Sequence, residues 1–160
     1  MDTSLLHPMV VHFPIALLIV AFAFDLAGLL ARRTSLTPAA LYCLVLGAIG
    51  AVAAYLTGER AEEAIEHLAS AHTVLERHED LGKLLMYAAI AVAVIRLGLV
   101  WKHKADSQGV KALLTAFSLG LVFLVGATGF FGGQLVYDHG AGVAPVMQQL
   151  PARGNNAHDD

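Results

Sequence analysis

The sequence predicts an all-α integral membrane protein: a four-helix bundle with an amphipathic connection on the outer side between its second and third helices. Three observations carry that expectation. Hydrophobic residues make up 57% of the 160 positions and charged residues only 14%, with a mean hydropathy of +0.65, far from the soluble average. Four apolar stretches, 9–31, 39–57, 84–101 and 112–137, are each of the length that crosses about 30 Å of hydrocarbon, which takes roughly 20 helical residues. Between the second and third stretches, 58–83 places Ala61, Ala64, Ile65, Leu68, Ala71 and Leu75 at helical spacing among charges, the pattern of an amphipathic helix resting on the bundle mouth.

The first stretch opens on "HPMVVHFP". Pro8 suits a first helical turn and places His7 at the cap. Pro14 leaves the carbonyl of Val10 without its usual partner and bends the backbone beside His12. On a regular helix, positions five apart point about 140° away from each other, so His7 and His12 need not share a partner. The aspartate and histidine before this run, with no lysine or arginine, do not suit a signal peptide, and the first helix is expected to stay.

The second stretch offers Gly47 with Ala51, and Gly50 with Ala54 and Gly58; the fourth offers Gly129 and Gly133 in "GFFGG". Small residues four apart let helix backbones approach closely in lipid. Asp25 in the first stretch and Arg96 in the third lie inside the oil, where an unpaired charge is costly, so they are expected to form a salt bridge. His78 opens the third stretch in "HEDLGK", and His139 closes the fourth in "GGQLVYDHGAGV", where Gly140 and Gly142 allow a sharp turn. The domain is read as 1–143. The remainder, 144–160, loses periodicity and ends in "PARGNNAHDD", a polar tail with nothing to bury.

Charge in the loops orients the bundle. Arg32 and Arg33 lie in the first loop and Lys102, Lys104 and Lys111 around the third, whereas 58–83 sets three basic residues against seven acidic ones. The positive-inside rule then puts 58–83 and both termini on the outer side of a bacterial inner membrane. His7, His12, His67, His72, His78 and His139 fall on that outer side, and His103 alone falls inside. The net charge of −3 and the absence of a basic stripe exclude nucleic acid as a partner. Membrane lipid is the expected surroundings, and a homo-oligomer stays open. Cys43 is alone, so no disulfide framework and no cysteine metal site exist.

Imidazoles from separate helices of a bundle are a usual means of gripping an iron porphyrin from both faces. The residues that would do so are His7, His12, His78 and His139. His12 with His78 or His139 is the expected ligand pair, and His7 the extra member that admits a second haem b. Phe13, Phe22, Phe123, Phe130, Phe131 and Tyr55 supply apolar rings. Glu79, Asp80, Tyr137 and Asp138 could pass protons if a quinol were oxidised there, although acidic residues at a helix start also favour its dipole. Lys83 is expected to pair with Glu79. His67 and His72, on the charged connection, are expected to be solvated.

Three functions stay open on the residues. The first is a b-type cytochrome passing electrons between a quinone pool or membrane partner and an outer acceptor, more an electron carrier than a stand-alone enzyme. The second is a non-haem copper, zinc or iron site built from His7, His12, His78, His139 and Glu79. The third is a cofactor-free bundle subunit that docks a soluble partner protein.

The segments "HPMVVHFPIALL", "RHEDLGK" and "GGQLVYDHGAGV", in this order on a four-span frame, resemble a widespread bacterial family of small membrane proteins catalogued chiefly as a domain of unknown function. The likeness covers nearly the whole chain up to Val143. Its pattern falls on His7, Pro8, His12 and Pro14, on His78 and Glu79, and on Gly132, Gly133, Tyr137, His139 and Gly140. Related domains are joined to Rieske-type or cytochrome modules, so the resemblance implies haem binding and electron transfer.

Overall fold

A computed structural model describes residues 6–62, 71–105 and 107–141. Four helices account for almost all of them: α1 (Leu6–Leu30), α2 (Leu36–Glu62), α3 (His72–Trp101) and α4 (Gln108–Tyr137). Each is long and apolar enough to cross a membrane. They run alternately up and down, with α1 and α3 each packed between α2 and α4, so α1 and α3 stand diagonally opposite. Below, the end where α1 and α3 begin is the histidine end, and the end with the short connections 31–35 and 102–107 is the loop end.

The helices extend further than their hydropathy alone indicates. Residues 58–62 continue α2 and 72–83 continue α3, so the described parts of the 58–83 connection are upward extensions of the bundle rather than a separate helix. Burial explains the extension, because Ala71 and Leu75 pack against Leu135 at the end of α4. Tertiary packing decides helix length where propensity is weak. His67 and the tail 144–160 lie outside the described residues.

The ends are closed by specific backbone devices. The Ser107 hydroxyl accepts from the Val110 amide and caps α4. Arg32 and His103 take left-handed conformations, φ 52° and 53°, and the amides that follow, Arg33 and Lys104, reach back to the carbonyls of Gly28 and Leu99, closing α1 and α3 in the same way. Gly140, φ 72°, turns the chain after α4.

The core consists of small and branched residues, Leu18, Ala21, Leu44, Ala48, Ala89, Val92, Ala93, Leu121 and Val125 among them. Gly47 and Gly50 let α2 lie directly on α1: a Cβ there would stand 2.9 Å from Leu18 Cδ2 and 3.2 Å from Pro14 Cδ. On α4 the expected close approach through Gly129 and Gly133 does not occur; neither would bring a Cβ within 4 Å of a neighbour, whereas Gly132 would. Phe13, Phe123 and Phe130 are exposed on the outer surface, so these rings face away from the bundle interior.

Asp25 and Arg96 form the expected pair, bidentate, with Nη1 to Oδ2 at 2.7 Å and Nη2 to Oδ1 at 2.6 Å. The Ser118 hydroxyl donates to the same carboxylate at 2.7 Å, and Arg96 Nη2 also donates to the Thr37 carbonyl at 3.2 Å. Both charges are buried. Such a pair in a low-dielectric interior persists only when its remaining lone pairs and protons find partners.

The bundle is also internally repeated. The 71-residue offset between Asp25 and Arg96 separates His7 from His78, Pro14 from Leu85, Leu18 from Ala89, Ala21 from Val92 and Arg32 from His103. A second constant offset relates Ala40 to Leu114, Leu44 to Ser118, Gly47 to Leu121, Ala51 to Val125 and Gly58 to Gly132. The paired positions share burial or backbone geometry, so the hairpin α1–α2 is repeated as α3–α4 in the same direction. Parallel repeats are related by an axis along the membrane normal.

Candidate functional site

The repeat brings two imidazoles to one place at the histidine end. His7 is the second residue of α1, and His78 lies on the diagonally opposite α3. Their ring centroids are 6.2 Å apart, with ring planes at 90°. Both side chains are partly buried.

Each ring is held by the helix that follows its own. His7 Nδ1 lies 2.9 Å from the Ala54 carbonyl of α2, and His78 Nδ1 lies 2.9 Å from the Thr128 carbonyl of α4. A carbonyl oxygen only accepts, so Nδ1 carries the proton in both rings. Nε2 is then the lone-pair nitrogen, the tautomer that an Nδ1–H to carbonyl bond sets in metal-ligating histidines. The Thr57 hydroxyl stands 3.3 Å from His7 Nδ1 and adds a polar neighbour on that side.

A glycine makes each approach feasible. Gly58 and Gly132 follow the accepting residues by one helical turn, so the absent side chain lies beside the carbonyl being used. A Cβ at Gly58 would stand 3.2 Å from His7 Cε1, and one at Gly132 would stand 3.0 Å from His78 Cε1. Gly132→Ala is therefore expected to push the His78 ring off the Thr128 carbonyl, at the cost of about 1–3 kcal/mol that overpacking a fitted site carries. Thermal unfolding of the purified protein in detergent measures it, with Gly133→Ala, in open space, as the neutral control.

The remaining sequence candidates lie elsewhere. His12 is exposed and donates Nδ1–H to the Pro8 carbonyl of its own turn at 2.6 Å, on the side of α1 that the five-residue rotation from His7 requires. His139 lies in the turn after α4, partly buried, with no hydrogen bond or ring contact to the pair. Glu79 is paired with Lys83 on α3, and the hydrogen bond from Tyr55 to Glu59 on α2, 2.7 Å, lies within electrostatic reach of it. His72 is exposed, 3.6 Å from Glu76, and Asp80, Tyr137 and Asp138 are exposed. Among the described residues, no three histidine, cysteine, aspartate or glutamate side chains gather as a group that could hold a metal ion. His7, His12, His78, His139 and Glu79 thus do not assemble into one multidentate cluster; His7 and His78 alone meet.

Reasoning from residues named Gly58 as a packing residue and Gly132 as a position of the family pattern, and passed over their role beside the carbonyls of Ala54 and Thr128. A signal for them existed, since the constant offsets between the two hairpins align His7 with His78 and Gly58 with Gly132.

No curated protein and no solved structure matches this chain. A family described as "Predicted membrane protein (DUF2231)" matches it over residues 4–145, a span that contains all four helices, the paired histidines with their glycines, and the buried Asp25–Arg96 pair. The chain therefore belongs to this family of membrane proteins.

Proposed function

We propose that this protein is a b-type membrane cytochrome in which His7 and His78 would hold one haem, and that it carries electrons at the face of the membrane away from the cytosol. The observation that carries the reading is the pair of imidazoles from diagonally opposite helices, both with Nδ1–H fixed on backbone carbonyls, 6.2 Å apart between centroids.

The donor set points the same way. A bare zinc or copper ion takes three or four protein ligands, and the described residues offer no group of three. A tetrapyrrole brings four nitrogens of its own, so two histidines would suffice to hold it. Bound there, it would supply one-electron chemistry. The chain's part is to orient both rings through Ala54 and Thr128, to hold their tautomers, and to keep the rest of the bundle dry with the Leu18, Leu44, Leu121 layer below. Ligation by two histidines leaves no open position for a substrate, so the function is electron transfer rather than turnover.

The direction follows from charge. Arg32, Arg33, Lys102 and Lys104 gather at the loop end, which the positive-inside rule assigns to the cytosol. The histidine end and both termini then face outward, where a quinone pool or a membrane partner is the electron source and an external protein the acceptor. Absorption spectroscopy tests the reading: protein purified from cells with adequate haem is expected to show a Soret band and a sharp α band on reduction. A colourless preparation from such cells would overturn it.

A further inference from the structure

The two seams between the hairpins differ at the histidine end. In the seam of α2 and α3, Tyr55 donates to Glu59 at 2.7 Å, and the Glu79–Lys83 ion pair lies within electrostatic reach of the phenol. The repeat carries Tyr55 to Gly129, Glu59 to Gly133, Lys83 to His12 and Glu79 to Pro8. The seam of α4 and α1 therefore lacks both side chains that α2 supplies to the other seam, and it keeps one polar group, the His12 imidazole. We infer that this α1–α4 seam is a binding groove for a quinol, with its ring over Gly129 and Gly133 and one hydroxyl donating to His12 Nε2.

Three observations support this. A Cβ at Gly129 or Gly133 would meet nothing within 4 Å, so the space that a phenol ring and a carboxylate take in one seam is open in the other, room for a six-membered ring bearing oxygen. His12 is exposed and donates Nδ1–H to the Pro8 carbonyl at 2.6 Å, which leaves Nε2 as an acceptor to which no described residue donates. His12 also lies inside the first apolar run and within α1, and ionisable residues within membrane spans mark ligand or ion paths because they are expensive there. Finally, Phe130, 62% exposed, stands between Gly126 and Gly133 on one stripe of α4 by helical spacing and offers an aromatic ring against which a second can pack.

The tautomer sets which ligand is preferred. Nε2 accepts and does not donate, so it pairs with the hydroxyl of a quinol and gains nothing from the carbonyl of a quinone, which also only accepts. The groove thus selects the reduced form. The inference rests on the cytochrome reading for its purpose, an electron donor held beside the histidine pair, and on His12 and the open seam for its place.

The test uses the full chain in a non-ionic detergent, with dithionite present throughout so that protein and quinol stay reduced. Tm is followed on titration of a short-chain benzoquinol or its dimethyl ether, which keeps the ring and tail and lacks the donors. The quinol is expected to raise Tm at about tenfold lower concentration than the ether, the worth of one hydrogen bond. His12→Leu is expected to remove that preference. Gly129→Tyr, which restores the ring that position 55 carries, is expected to abolish both shifts, and Gly120→Leu, in open space elsewhere on α4, to leave them unchanged. His12→Leu alters an exposed side chain and keeps the test decisive if Gly129→Tyr does not fold. Equal shifts with quinol and ether, or a preference retained in His12→Leu, would overturn the groove. A quinol response unaltered in Gly129→Tyr would do the same, and if that variant also lost a dimer in light scattering the seam would belong to a second copy of the chain. A colourless protein that still prefers the quinol would overturn the cytochrome reading and leave this site standing.

Discussion

Alanine at His7 or at His78 is expected to remove the haem absorption that the proposed function requires, and alanine at His12 to leave it intact. The difference follows from where the rings are. His7 and His78 meet at 6.2 Å, whereas His12 is turned outward and bound to the Pro8 carbonyl. Loss of an orienting partner alone costs a metal site about 10–100-fold in affinity, and loss of the ligand itself costs more. The repeat predicts that the two alanine variants behave alike, because each half supplies the same histidine, carbonyl and glycine. Reduced-minus-oxidised difference spectra of the three variants decide the matter. Retention of the wild-type spectrum in either His7→Ala or His78→Ala would remove that residue from the ligand set, and retention in both would remove the site. Removal of the spectrum by His12→Ala alone would contradict its outward position.

The second large effect is expected at the other end of the axis. Asp25→Asn leaves the Arg96 guanidinium buried without its counter-charge, and breaking one side of a buried pair costs about 3–5 kcal/mol, a fall in Tm on the order of 10 °C for a chain of this size. The internal repeat adds a sharper expectation. Asp25 and Arg96 occupy equivalent positions of the two hairpins, so the exchange D25R/R96D keeps both charges within reach and should recover part of the loss. Recovery is incomplete, because Ser118, which donates to Asp25, has Leu44 as its equivalent beside the exchanged carboxylate. Adding Leu44→Ser is expected to recover more. A D25R/R96D protein no more stable than the single variant would reject the equivalence of the two positions.

Much of this architecture is written along the chain in a form that needs no third dimension. Four apolar runs of membrane-crossing length and a lone acid and base inside the oil translate directly into four helices and a salt bridge, because lipid leaves a backbone no choice but to satisfy its own hydrogen bonds and leaves a buried charge no choice but to find its opposite. Helix boundaries in 58–83 were less legible. The charges there mark a departure from lipid, but Ala71 and Leu75 have a surface to cover on Leu135, and that surface belongs to a residue sixty positions away. The close contacts on α4 are a similar case: "GFFGG" offers three glycines of equal composition, and only Gly132 faces a neighbour.

The amino-acid sequence by itself thus determined the four helices of membrane-crossing length, the ion pair and the set of histidines from which a site would be drawn. Which imidazoles meet was decided by the tertiary structure. Hydropathy and spacing report rise and rotation along one helix, enough to separate His12 from His7 by about 140°. The pairing of His7 with His78 depends instead on how four helices are rotated about their own axes and how near their backbones come, quantities set by packing between segments that are remote in the chain. Two glycines and two backbone carbonyls complete the arrangement, and a carbonyl has no side chain by which a sequence could announce it.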